Sequence, residues 1–249
     1  MKAIVIIDFD NYFPSANLSE YDGNDGLFNK VFQFVVSYLS QIEAIDSIYL
    51  RLYSGWYSGD ALTNRSSEVL RRLPSFNSLF PLFVGGRKIE GDFVLAENQV
   101  DIPFIWKNTY REHNGLPKFR VDETKMSVSC VKNKEICPVH ILKHFSKKAT
   151  TPCSVNSCTT KHGEVFKLRE QKMIDTMMAC DIISCTLDTE KPLIAIVSDD
   201  VDFFPSIALR NKISSESTTF LFIKNDINVA PYSSILNQFN ASIILTPYE

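Results

Sequence analysis

Two runs constrain this chain more than any other feature: residues 2–9 (KAIVIIDF) and residues 192–198 (PLIAIVS). Both are almost continuously apolar, and both turn acidic at the carboxyl end. A run of this kind is buried on both faces, as in a central strand of a parallel sheet. The first passes into Asp8-Phe9-Asp10-Asn11 and the second into Ser198-Asp199-Asp200-Val201-Asp202. In parallel α/β sheets ligands bind beyond the carboxyl ends of the strands. Two such ends therefore bring a group of carboxylates to the place where a ligand site belongs.

The intervening sequence supplies the rest of an α/β fold. Apolar positions Leu27, Val31, Phe32, Phe34, Val35, Leu39 and Ile42 have helical spacing and predict a helix over 27–43. Strand character returns at 47–53. A helix is expected over 59–72, closing on Arg71 and Arg72, and a strand over 78–84. Residues 86–116 carry no clear period, and Pro103, Asn114-Gly115 and Pro117 punctuate the stretch around their end. A strand or hairpin is expected over 118–131, a long helix over 166–186, a helix over 203–212, a strand over 218–223, a short helix over 233–239 and a last strand over 241–245. Alternating strands and helices imply a mostly parallel sheet with helices on both faces. The expectation is a single domain over 1–249, with a module inserted at 130–163.

The acids have two readings. A single aspartate at a strand end often caps the following helix, as Asp202 could before Phe203 or Asp10 near Tyr12. Capping needs one acid per helix, and here each strand end carries two or three. Several ionised carboxylates stand together only with a counter-charge, which a hard divalent cation such as magnesium supplies through oxygen ligands. A helical position adds to the set. Asp175 interrupts an apolar face formed by Ile174, Met177, Met178, Ile182 and Ile183. Asp181 lies six residues on, roughly 600° of rotation and about 9 Å along the axis, so the two serve different surroundings. Asp175, nearer the helix start, is the one expected at the site.

These motifs, in this order, resemble the NYN branch of the PIN-like nucleases. Asp8 and Asn11 match an aspartate followed three residues later by asparagine. Lys172, Asp175 and Asp181 in QKMIDTMMACDI match a lysine, an aspartate and a second aspartate. Ser198, Asp200, Asp202, Phe203 and Pro205 in VSDDVDFFPSI match a Ser-Gly-Asp-x-Asp-Phe-x-Pro strand end. The resemblance spans residues 4 to 207. It implies a PIN-like three-layer α/β fold and magnesium- or manganese-dependent hydrolysis of phosphodiester bonds, usually in RNA, with DNA as the other candidate. Asp8, Asp175, Asp200 and Asp202 would bind the metal and Asn11 would help position it. Phe9 and Asp199 stand where the family has glycines, so Asp10, Asp181, Ser198 and Asp199 form a second rank whose orientation the motifs leave open.

The inserted module has its own pattern. Cys137-x2-His140-x12-Cys153-x4-Cys158 has a spacing suited to a structural zinc ion, with Cys130, His144 and His162 as substitutes. A polar loop of this length otherwise has little to order it. Its lysines, Lys143, Lys147 and Lys148 among them, and Lys172 outside it, could hold a phosphate backbone, although lysine runs are more often solvated surface. Tyr53, Trp56 and Tyr57 could stack on unpaired bases or pack in the core. Cys180 and Cys185 read as buried core thiols.

The net charge of −3 does not announce a nucleic-acid binder, nor exclude one whose site gathers acids around a cation. No stretch reaches the roughly 18–20 apolar residues that cross a bilayer, and no secretory pattern opens the chain. The expectation is a cytoplasmic protein with an RNA partner, no membrane association, and room for a protein partner or self-association. Two other functions compete. A haloacid-dehalogenase-like phosphatase shares Asp8-x-Asp10, but Tyr12 stands where its pattern has threonine or valine, and the Asp175 helix has no role in it. An inactive PIN-like domain that binds RNA or protein is the non-enzymatic reading. The complete set of four acids argues against it.

Overall fold

The computed structural model of the protein describes all residues except 16, 23–25, 115–120, 149 and 249. Two compact units make up the chain, Met1–Tyr110 with Gln171–Glu249, and Arg111–Glu170. The first unit is built on a sheet whose strands are β1 (Lys2–Asp8), β2 (Ser47–Tyr53), β3 (Leu82–Val84), β4 (Arg87–Leu95), β5 (Leu193–Val197), β6 (Thr219–Ile223) and β7 (Ala241–Leu245). Their spatial order is β7-β6-β5-β1-β2-β4-β3. All neighbours run parallel except the β3–β4 hairpin, which turns through Gly85 and Gly86, both at positive φ. From β1 the chain builds outward to one side through β2 and β4. It then returns to the other side of β1 and builds outward through β5, β6 and β7. The β1–β5 junction is therefore the point where the strand order reverses.

The pleat sends alternate residues of β1 to opposite layers. Ala3, Val5 and Ile7 pack with Phe28, Val31, Phe32 and Val35 of helix α2 (Leu27–Ser40) and with Val69 and Phe76 of α3 (Asn64–Asn77). On that side Phe9, Phe13, Phe28, Phe32, Phe76 and Phe93 form a continuous ring cluster, with contacting centroids 4.7 to 5.9 Å apart. Ile4 and Ile6 face the other layer, with Met177, Met178 and Ile182 of α4 (Ile174–Leu187) and Ile207 of α5 (Phe204–Ile213). Helix α1, a single turn at Phe9–Tyr12, precedes α2, and α6 (Ser233–Gln238) precedes β7.

Several boundaries differ from the sequence expectations. Helix α3 runs from 64 to 77 rather than 59 to 72, because Thr63 caps it and Pro74 lies inside its last turn instead of ending it. The expected helix over 166–186 divides. Lys167–Gln171 is a strand paired with Tyr110–Asn114, Met173 takes a left-handed conformation (φ 69°), and α4 begins only at Ile174. Strand β4 lies within the stretch that had no readable period. The hairpin expected at 118–131 falls partly outside the described residues. Its described part holds the helix Val128–Lys132 and no strand.

The second unit contains the helices Val128–Lys132, Pro138–Phe145 and His162–Val165. Among the described residues no helix is long and apolar enough to cross a membrane.

Candidate metal centre

Parallel pairing of Ile7 with Val197 places the ends of β1 and β5 side by side. Asp8 continues the parity of Ile4 and Ile6, so its side chain belongs to the layer of α4. Ser198, one residue beyond β5, donates from its hydroxyl to Asp8 Oδ2 at 2.8 Å. The Asn11 amide, in the one-turn helix that Asp8 caps, donates to Oδ1 at 3.4 Å. Ser198 Oγ also accepts from the Asp200 amide at 3.0 Å. Asp200 Oδ1 then accepts from the amides of Val201 (2.6 Å) and Asp202 (3.1 Å). One hydroxyl thus fixes the relation between the two strand ends.

Asp8 is only 5% exposed. Burial pushes its pKa from 3.8 up to about 7; the bonds from Ser198 and Asn11 oppose this, and the charges of Asp175 and Asp200 add to it. Asp175, in the first turn of α4, is raised by partial desolvation and then by Asp200 and Asp202. The charges of Asp175 and Asp200 thus act on Asp8, and those of Asp200 and Asp202 on Asp175. An open cleft of about 550 Å³ beside them is lined by Asn11, Asp199, Asp200, Val201, Lys224 and Tyr232.

The other acids of the motifs have partners elsewhere. Asp10 is bound by Arg65, Ser54 (2.6 Å) and Gln171. Arg65 also reaches the carbonyls of Phe13 and Ser15, so this acid clamps the chain after β1. Asp199 accepts from the Lys224 amide at 2.7 Å and pairs with its Nζ at 3.4 Å. Lys224 in turn donates to Asn11 O at 2.9 Å and lies over the rings of Tyr12 and Tyr248. Asp181 is buried, bound by Tyr53 and the Val100 amide and 3.7 Å from Arg51. Asp8 and Asp200 share the Ser198 hydroxyl, and both Asp199 and Asp200 line the cleft. Asn11 contributes its backbone to Asp8, while its side chain accepts from the Asp199 amide at 3.3 Å. Lys172 is half-buried, its amide bound to Thr109 O at 2.9 Å.

Sequence reasoning missed Lys224 and Arg65. Lys224 directly follows β6, a third parallel strand end, and the rule that singled out the acids could have found it. Nothing local marks Arg65, which reaches Asp10 across tertiary structure. Tyr53 and Trp56 are buried, with Trp56 Nε1 donating to Leu52 O at 2.9 Å, so they are core residues and not a stacking platform. Tyr57 donates its hydroxyl to Glu97 at 2.8 Å. Cys185 is buried as expected, but Cys180 is exposed.

In the second unit the cysteines form two pairs. Cys137 precedes the helix Pro138–Phe145, and the amides of His140 and Val139 together with the Cys130 thiol hold its pKa below the usual thiol range. Cys158 is lowered by the Thr160 side chain, the Thr160 amide and Cys153. Cys153 Sγ accepts from the Val155 amide at 3.5 Å. His140, expected as a ligand, belongs to neither pair. Its Nε2 is buried without a hydrogen-bond partner, as is Nδ1 of His162. Lys143 pairs with Glu123 at 3.2 Å, and Lys147 and Lys148 are exposed. Among the described residues no three His, Cys, Asp or Glu side chains converge closely enough to hold an ion as they stand, either at the sheet or in this unit.

The buried carboxyl has a consequence for stability. The folded state holds the Asp8 proton more tightly than the unfolded chain does. Stability from this group is complete below about pH 3.8 and is lost as the pH rises through about 7. Asp8→Asn can keep its oxygen toward the Asn11 amide while its Nδ2 donates to the Ser198 hydroxyl, which can turn to accept. In EDTA it is expected to exceed the wild type at pH 8 by on the order of 2–4 kcal/mol and to match it near pH 4. Urea unfolding at the two pH values measures this, and equal stability at pH 8 would contradict the assigned burial.

Compared with protein-family models, curated proteins and solved structures, the chain matches none.

Proposed function

We propose that the first unit is a divalent-metal-dependent nuclease of PIN-like type that hydrolyses phosphodiester bonds, with RNA as its substrate. The observation that carries this reading is the buried Asp8 tied through Ser198 to the Asp200 turn at the sheet's reversal point, with the charges of Asp175 and Asp200 acting on it. A buried carboxyl raised to about 7 marks a place that favours a cation or a proton. The donors are all oxygens, which suits magnesium or manganese. Magnesium takes one or two carboxylates directly and keeps several waters, so it does not require a closed cage. Asp8 and Asp200 would hold the ion, with Asp175 and Asp202 completing its surroundings.

When bound, such an ion activates water and offsets charge on the phosphate. The chain's own residues set the stage. Ser198 locks Asp8 to the β5 end, and two backbone amides aim Asp200. The clamping of Asp10 by Arg65, Ser54 and Gln171 argues against a phosphatase of the haloacid-dehalogenase kind, which needs its second acid facing the reaction. Cleavage of single-stranded and structured RNA is expected with manganese or magnesium and not in EDTA. Asp200→Asn is expected to lower kcat at least about a thousandfold with the fold intact. Wild-type rates in that variant would overturn the assignment. Absence of cleavage on every RNA and DNA tried would favour a binding domain.

We also propose that zinc orders the second unit, drawing its two cysteine pairs together. The Cys137 and Cys158 thiols receive amide hydrogen bonds and sit at lowered pKa, which predisposes them to the thiolate form that binds metal. Cys130, Cys137, Cys153 and Cys158 replace the set that included His140. Purified protein should carry about one zinc per chain. Cys130→Ser should lower that content and His140→Asn should not. The reverse pattern would restore the histidine, and metal-free protein would remove the proposal.

A further inference from the structure

Beside the acid cleft lies a second, apolar hollow of about 370 Å³. Phe204, Pro205 and Ala208 of α5 form one side, and Tyr232, Leu236 and Phe239 the other. Asp202 stands in its lining, and Val201 and Tyr232 line both the hollow and the cleft. Tyr232 is 39% exposed, and its ring meets Phe204 edge-on with centroids 5.3 Å apart.

We propose that this hollow seats an unpaired nucleobase of the substrate whose backbone phosphate lies in the cleft. The inference rests on the nuclease reading and adds a subsite to it. A base has apolar faces and a polar edge. The aromatic and aliphatic walls of the hollow match the faces, and its border with the open cleft leaves the edge room to stay hydrated. Because two residues line both spaces, one nucleotide could place its phosphate against the acids and its base against Tyr232. A base inside a duplex could not leave its stack without loss of pairing, so the subsite favours the unpaired stretches of a single-stranded or structured RNA. An apolar protein side chain would suit the walls, but not the continuity with a charged cleft.

The test uses the full chain, manganese and a single-stranded RNA oligonucleotide, with a matched oligonucleotide made abasic around the cleavage position. Ala208→Trp plugs the hollow without altering an acid. It is expected to raise KM about tenfold on the intact oligonucleotide and to lower kcat far less. The wild type should show the same rise on the abasic substrate, and the variant should show no further rise there. If Ala208→Trp does not fold, Tyr232→Ala and the wild type on the abasic substrate give the same comparison. Wild-type cleavage with KM indifferent to both the variants and the missing base overturns the subsite and leaves the nuclease reading standing. A wild type that cleaves neither substrate overturns both.

Discussion

The parallel pairing of β1 with β5 is the constraint on which the site depends. It joins the first strand of the chain to one that arrives nearly two hundred residues later, and it marks the point where the sheet reverses its order. Because helices leave the two strand ends toward different parts of the fold, a gap opens there. Asp8 and Ser198 fall opposite each other at that gap, one residue beyond the last paired positions, Ile7 and Val197. The buried apolar runs that make the strands central are thus also what bring the carboxylates together and desolvate one of them.

The surrounding acids are distributed by the same geometry. Each of Asp10, Asp199 and Asp181 has a basic side chain and other donors around it, and each ties separate segments together. Asp10 joins the chain after β1 to α3, Asp199 joins the β5 end to the β6 end, and Asp181 joins α4 to β2. Of these contacts, the Asp199–Lys224 pair lies in the wall of the cleft itself. The remaining acids, Asp8, Asp175 and Asp200, are tied chiefly to backbone amides, to one hydroxyl and to one another's charges. This division between paired acids and mutually repelling ones is the physical content of the metal-site reading.

Much of this was legible in the sequence, and the exceptions have physical causes. The central strands announced themselves because burial on both faces leaves no polar positions. Strand β4 did not, since its residues alternate charged and apolar and Gly91 lies in its middle. That glycine is no break: a Cβ there would collide with the Ile48 carbonyl and the Phe80 ring, so close packing of the sheet requires it. The start of α4 was hidden by Met173, whose left-handed turn no spacing rule foresees. Pleat parity could not separate Asp8 from Asp10, which share it; the end of the strand at Asp8 does, because the chain turns into a helix at Phe9 and carries Asp10 away. The partners Arg65 and Lys224 lie far away in sequence and became visible only through the fold. In the second unit spacing led toward His140, whereas local hydrogen bonding groups Cys130 with Cys137.

Titration of the EDTA-treated protein with manganese at pH 8, followed by the electron paramagnetic resonance of the free ion, tests the central claim most directly. The account predicts saturable binding to the wild type that Asp8→Asn and Asp200→Asn each weaken by about tenfold or more. Equal affinity in the wild type and both variants would contradict it.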